Sequence, residues 1–378
     1  MTVETEVDIG RSGRQPLEME ELFALSVRLG ASDLHIAVGV PPVVRVNGSL
    51  DRLAGASEVM PADAERLCFG LMNGDQRRKL DEDGEVDFSY SIDKLGRFRC
   101  NVFRQRGSIG GAFRMIPPAI RTLEELGLPS VVRSLVIKTR GLVLVTGPTG
   151  SGKSTSLAAM IDLANDTRNT HILTLEDPIE YLHRHKQSII HQREIGADTR
   201  SFVNALRAAL RQDPDIILLG EMRDLETIGT AISAAETGHL VFATLHTADA
   251  VQTVDRIIDV FPPYQQAQIR VQLSMVLEAV ISQRLLRTKD GKRRVGAFEV
   301  LMVTPAVRSL IREGKTHQLM STLQTGARYG MQTMDSSLVE LVNRGIVAYE
   351  DALVHAANPD EFSRSIKNRS SASGFALG

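Results

Sequence analysis

The sequence predicts an α/β protein in two parts: an N-terminal α+β domain, then a domain built on a parallel sheet with a helical C-terminal portion. Three observations predict it. The run Gly147-Pro148-Thr149-Gly150-Ser151-Gly152-Lys153-Ser154-Thr155 matches the P-loop pattern G-x-x-x-x-G-K-[ST]. It lies between an apolar, β-branched run, Leu142–Thr146, and a periodic one with Leu157, Ala158, Met160, Ile161 and Leu163. After Gly141, continuous apolar runs alternate with helical patterns, as in a parallel sheet covered on both faces. Before Pro117-Pro118 the runs are short and alternate apolar with polar residues, as half-buried strands do.

In order along the chain, residues 1–16 read as a polar, mobile arm. The α+β domain covers 17–116. Its first helix shows in Leu17, Leu22, Leu25 and Leu29, spaced to share a face. Pro42–Val46 leads into Asn47-Gly48, a hairpin turn. Val86–Tyr90, Arg97–Phe103 and Gly110–Ile116 are further strands. The second of these puts Phe98, Cys100 and Val102 on one face and Arg97, Arg99 and Asn101 on the other. A double proline continues neither helix nor strand, so a linker is expected over 117–135. The second domain, 136–357, reads strand 142–146, helix 154–165, strand 171–175, helix 199–211, strand 216–219, helix 224–236 and strand 240–245. From about 264 it is mainly helical, interrupted by one strand at 294–301. The tail, 358–378, is rich in Ser, Lys and Arg and is expected to be disordered. The chain has no internal repeat.

Composition excludes several classes. Net charge is −2 with 24% charged residues, and no basic block gives the footprint of a dedicated nucleic-acid binder. Cys68 and Cys100 make neither a disulfide framework nor a metal-binding CxxC pair and read as buried thiols in a reducing compartment. The N-terminus carries Glu4, Glu6, Asp8, Arg11 and Arg14 without an apolar core, so it is no signal peptide. No apolar stretch is long enough for a transmembrane helix, which leaves membrane association to a partner.

The chemistry starts at the P-loop. Its glycines let backbone N–H groups converge into an anion nest, and the following helix adds its positive end. Lys153 would reach the β- and γ-phosphates of a bound nucleotide, and the Ser154 hydroxyl would ligate Mg²⁺. A second group, Glu176, Asp177 and Glu180, ends an apolar strand and is stopped by Pro178. At the ligand-binding edge of a parallel sheet, one of these carboxylates could polarise an attacking water. A solvated acidic turn would show the same residues, and the neighbouring P-loop weighs against it. The third group, Asp213 through Asp224, has the Walker B shape, an apolar strand ending in an acid. Gly220 stands where an Asp commonly precedes the Glu, so Glu221 takes the Mg²⁺ role through water. Fourth, His239 and His246 bracket an apolar strand at opposite ends, too far apart to share a metal. Last, Arg97, Arg99, Arg104, Arg106 and Arg114 suit either phosphate recognition or a solvated strand face.

Together these residues resemble the PilT family of type IV pilus retraction ATPases, in the secretion-ATPase superfamily. The resemblance runs from about Leu17 to about Ala357. It includes Gly30–Ile36, the P-loop, the acidic box Leu175–Glu180, Walker B, and the His box from Ala234 to Thr247. It also includes Ala306–Glu313, similar to the AIRNLIRE motif of retraction motors, with Val307 for Ile and Ser309 for Asn. The resemblance implies a PAS-like N-terminal domain, a RecA-like ATPase domain and a ring homohexamer. It implies that Glu180 activates water, that Glu221 is the Walker B glutamate, and that His239 and His246 form the His box. Of the two, His246 is the candidate for sensing the γ-phosphate. It implies that Arg99 and Arg114 reach a nucleotide across a subunit interface. Gly220, odd for a generic P-loop enzyme, is normal in this family. The expected partners are an inner-membrane pilus platform protein and other pilus ATPases, with the chain on the cytoplasmic side. Pilus-assembly and type II secretion ATPases look longer and usually carry a four-cysteine zinc site. An accessory retraction ATPase of the PilU type would share most of these motifs. A RecA-like nucleic-acid translocase would share the P-loop and the parallel sheet, but the near-neutral charge disfavours it.

Overall fold

Period-two alternation in the first hundred residues builds one antiparallel sheet. The structure, a computed structural model, describes residues 18–373 except 47, 94, 117 and 118, with side chains to residue 366. The expected N-terminal arm, Asn47 of the expected turn, Pro117-Pro118 and residues 374–378 lie outside the described residues. The chain divides into two units. The first runs up to Ala119 and also takes Pro178–Leu182; the second takes Ile120–Asp177 and the chain from His183 onward.

The first unit comprises α1 (Met19–Arg28), β1 (Asp33–Ile36), β2 (Val43–Val46), β3 (Ser49–Arg52), α2 (Pro61–Phe69), α3 (Gly74–Asp83), β4 (Glu85–Ile92), β5 (Gly96–Gln105) and β6 (Ser108–Ile116). Its sheet order is β3-β2-β1-β6-β5-β4, antiparallel throughout. As expected, Phe98, Cys100 and Val102 of β5 are buried and Arg99 is exposed. Phe23 of α1 stacks on Phe98 at 3.9 Å and meets Phe113 edge-on at 5.5 Å, closing the core over the sheet. Cys68 and Cys100 are free and buried in this core, and burial raises both thiol pKa values.

The second unit begins with α4 (Val131–Val136), β7 (Gly141–Thr146), α5 (Lys153–Thr167), β8 (His171–Glu176), β9 (Ile189–Glu194), α6 (Phe202–Ala209) and β10 (Ile216–Leu219). It continues with α7 (Leu225–Glu236), β11 (Leu240–Leu245), α8 (Ala250–Asp259), α9 (Pro263–Val276), β12 (Leu277–Arg287) and β13 (Arg294–Met302). Then come α10 (Pro305–Arg312), α11 (Leu319–Thr325), α12 (Met334–Asn343), α13 (Tyr349–Leu353) and α14 (Pro359–Ser373). The sheet order is β13-β12-β7-β11-β10-β8-β9, parallel except for the β12–β13 pair. Leu142 and Leu144 of β7 face one apolar cluster, Val143 and Val145 the other, so both faces of the sheet are covered. Among the described residues, no helix is long and apolar enough to cross a membrane.

Three expectations need correction. The span read as linker is largely core: Leu123, Leu128, Val132 and Leu135 are buried in the second unit. Strands β9 and β12 were not expected. Ala279–Ile281 is an apolar run too short to show a period, and only its pairing beside β7 separates strand from helix there. The tail is not disordered over 359–373, where α14 forms. Phe362, 1% exposed, anchors it by stacking on Tyr349 at 5.7 Å. Ile366 packs in the same cluster, and together these contacts outweigh a polar composition.

The Ala306–Glu313 motif forms α10 and its C-cap. Arg308 donates to the carbonyls of Ser274 and Met275 at the end of α9 and pairs with Glu278 at 2.7 Å. A guanidinium on the negative end of a helix holds α10 against α9.

Candidate active site

Strand β7 is buried at every residue and delivers the chain to the C-terminal edge of the sheet at Thr146. There the glycine loop turns into α5, whose first residue is Lys153. Gly147, Gly150 and Gly152 have φ of 141°, 78° and 91°, a region that side chains disfavour. Lys153 Nζ donates to the Gly147 carbonyl at 2.7 Å and the Pro148 carbonyl at 3.2 Å, so the ammonium lies over the loop it is expected to serve. Ser154 and Thr155 occupy the first turn of α5, half-buried, at the helix's positive end.

Two parallel strands bring acid and base to the same edge. After β10 the chain passes Gly220 to Glu221, and after β11 it reaches His246. Glu221 Oε1 lies 3.0 Å from His246 Nε2, and its Oε2 lies 2.7 Å from an Arg223 guanidinium nitrogen. Burial alone would raise the Glu221 pKa. The Arg223 hydrogen bond and the charges of Arg223, His246 and Lys153 outweigh it and hold the carboxyl below the ordinary range. An ionised oxygen donor in this position, with the Ser154 hydroxyl, is the donor set that Mg²⁺ prefers. Gly220 also acquires a local reason. A Cβ there would lie 3.2 Å from the Leu175 carbonyl and 3.3 Å from Glu176 Cα, because β8 ends directly against it. The Thr244 hydroxyl donates to the Gly220 carbonyl and locks the Walker B turn to β11.

The fold does not gather every expected residue. His239 precedes β11 at the sheet edge opposite the P-loop. Its Nδ1 donates to the Ala234 carbonyl at 2.8 Å, closing the end of α7, and its own carbonyl accepts from Gly141 at the start of β7. Within the unit it is a helix-end residue, not a neighbour of Lys153. Glu176 accepts from Thr174 at 2.6 Å and from Gln192 at 3.2 Å, which ties it into the sheet. Glu180 is exposed and lies on Pro178–Leu182, the segment that belongs with the first unit.

In the first unit, Arg99 and Arg114 are directly paired across β5 and β6. Arg114 Nε lies 2.9 Å from Asp33 Oδ1, and Arg45 Nε approaches the other oxygen at 3.9 Å. Like charges opposed across a sheet are destabilising, and one carboxylate serves more than one guanidinium, so the row carries excess positive charge suited to an anion.

Sequence reasoning missed Arg223, Ser156 and Gln283. The first sat inside the Walker B run without a role. The other two meet only through the tertiary fold, Ser156 Oγ donating to Gln283 Oε1 at 2.8 Å. A cavity of about 350 Å³ opens beside the loop, lined in part by Gly152, Thr155, Gln283, Leu285 and Phe298.

The family described as type II/IV secretion system protein matches residues 121–354. The chain is 49% identical over 346 residues to the type IV pilus retraction ATPase PilT of Pseudomonas aeruginosa, covering 92% of this chain and 100% of that protein. It is 51% identical over 322 residues to a twitching motility protein of Neisseria gonorrhoeae, covering 85% and 86% respectively. A crystal structure of the pilus retraction motor PilT with bound ADP superposes with a TM-score of 0.87 at 49% identity, covering 92% of this chain and 99% of that one. The chain therefore belongs to the PilT family of pilus retraction ATPases, within the type II/IV secretion system proteins.

Proposed function

We propose that this chain hydrolyses ATP to drive retraction of a type IV pilus, and so supports twitching motility. The observation that carries the reading is the convergence of Lys153, Glu221 and His246 at the C-terminal edge of a parallel sheet, against a glycine loop that opens α5. The antiparallel six-stranded sheet of the first unit supports the PAS-like reading of that domain. The P-loop on a mainly parallel sheet supports the RecA-like reading of the second.

In this reading the loop amides from Gly147 to Thr155 bind the phosphates and Lys153 orients the terminal one. Bound Mg²⁺, held by Ser154 and through water by Glu221, would neutralise charge on the phosphates. Glu180 accepts the proton of the attacking water, and His246, joined to Glu221, senses the terminal phosphate. Arg99 and Arg114 serve a nucleotide on a neighbouring subunit of a homohexamer, where a planar guanidinium stabilises transferring phosphate. The resemblance to retraction motors supports the ring, its cytoplasmic position and its coupling to an inner-membrane platform protein.

The test is ATP turnover by the purified protein beside Lys153→Ala and Glu180→Gln, with molar mass from light scattering in the same buffer. The expected result is a hexamer whose turnover disappears in both variants, with Lys153→Ala unable to support pilus retraction in cells. Normal turnover in Glu180→Gln would remove Glu180 from the role of base. A monomer without turnover would overturn the motor reading.

A further inference from the structure

Two of the three P-loop glycines rest on one residue of another strand. Gln283, in β12, is 3% exposed. A Cβ on Gly147 would lie 2.3 Å from the Gln283 backbone oxygen, and a Cβ on Gly152 would lie 2.8 Å from its side-chain Nε2. The loop is thus in direct contact with Gln283 at both ends. The contact is fastened on either side. Ser156, in the first turn of α5, donates to Gln283 Oε1 at 2.8 Å, and the preceding Ser282 hydroxyl meets Thr146 at the end of β7 at 2.8 Å. Gln283 also lines the cavity beside the loop.

The geometry points to Gln283 as a positioning residue for ATP binding: it sets the spacing and tilt of the Gly147–Gly152 nest by supporting the loop from β12 and tethering α5 through Ser156. The inference rests on reading Gly147–Thr155 as the phosphate loop. Its physical basis is that an anion nest binds only when several N–H groups point at one place. Lys153 holds the loop from within through the Gly147 and Pro148 carbonyls, but the three glycines have no side chains of their own, so their placement also depends on what they pack against. A buried amide bonded to a buried hydroxyl supplies a directional support that an apolar contact would not. Gln283 acts through the loop, which binds substrate and transition state alike. Its loss therefore raises KM and weakens ADP binding while kcat stays nearly unchanged.

Binding of a fluorescent N-methylanthraniloyl ADP and steady-state ATP turnover would be measured for Gln283→Ala, Ser156→Ala, the double variant and Lys153→Ala, each with its Tm. Gln283→Ala and Ser156→Ala are each expected to weaken ADP binding and raise KM by about ten-fold or more, since small displacements of a binding loop are costly. Because both break one link, the double variant should be no weaker than Gln283→Ala alone. If Gln283→Ala fails to fold, Ser156→Ala carries the same expectation. Wild-type ADP affinity in Gln283→Ala or Ser156→Ala, with only Tm lowered, would overturn the inference. If Lys153→Ala also bound ADP normally, the phosphate-loop reading itself would fail instead.

Discussion

His183 provides a test of how the return from the Glu180 segment is anchored. Its backbone N–H donates to Gln192 Oε1 on β9 at 2.8 Å, fixing the chain where it re-enters the second unit. Its side chain is 2% exposed, and among the described residues its Nδ1 has no hydrogen-bond partner. Burial pushes its pKa from 6.5 down to about 4; Asp162, 3.9 Å away, opposes the change and Lys186 adds to it. The unfolded chain therefore binds a proton near pH 6.5 that the folded chain refuses until about pH 4. Stability from this residue is fully present above about pH 7 and falls as pH falls through that window. The displacement corresponds to about 3 kcal/mol when fully expressed, and to about 2 kcal/mol between pH 7 and pH 5. At about 2–4 °C per kcal/mol, this lowers Tm by about 4–8 °C. His183→Phe keeps a buried ring and cannot protonate, so its Tm should fall less over the same interval by that amount. Thermal melts of both proteins at about pH 7, 6 and 5 would measure the difference. Parallel Tm profiles for wild type and variant would refute the reasoning.

Elsewhere in the molecule, Arg223→Ala removes the hydrogen bond that helps to hold Glu221 ionised and leaves its burial, so the acid limb of the ATP turnover profile should move to higher pH; an unmoved limb would show that Arg223 does not control Glu221. Phe23→Ala should weaken the first unit by about 3–5 kcal/mol and raise the labelling rate of Cys68 and Cys100 by a disulfide reagent at least about a hundredfold, because both thiols lie in the core that Phe23 closes. Unchanged labelling would show that the thiols are shielded without that ring.

Much of the second unit was legible because its signals are local. β7, α5, β8, β10, α7 and β11 fall within one or two residues of their expected bounds, since a continuous apolar run between glycine and helix signals has few other interpretations. β12 was not legible. Its chain enters directly from α9, with no breaker between Val276 and Leu277, and its identity as a strand depends on pairing with β7 and β13. The same holds for α14, which is held by tertiary contacts: Phe362 and Ile366 pack in one apolar cluster, and the Ser363 hydroxyl meets that of Tyr349. Within the candidate site, Lys153, Ser154 and Glu221 could be picked out because their chemistry is written in contiguous motifs. Arg223 was inside such a motif, but its role appears only when its guanidinium is seen against Glu221.

The sequence by itself determined the glycine loop between β7 and α5, the alternating architecture behind it, the half-buried strand pattern of β5 and the burial of two thiols, all consequences of side-chain type at short spacing. Tertiary structure alone decided that His239 closes the end of α7, that His246 meets Glu221, and that Gln283 underlies the glycines 147 and 152. It also decided that Pro178–Leu182, with Glu180, belongs to the first unit. The physical reason is that the order of strands in a sheet is a long-range property: β12 lies beside β7 through parallel pairing across more than a hundred residues of chain, and no local pattern carries that register.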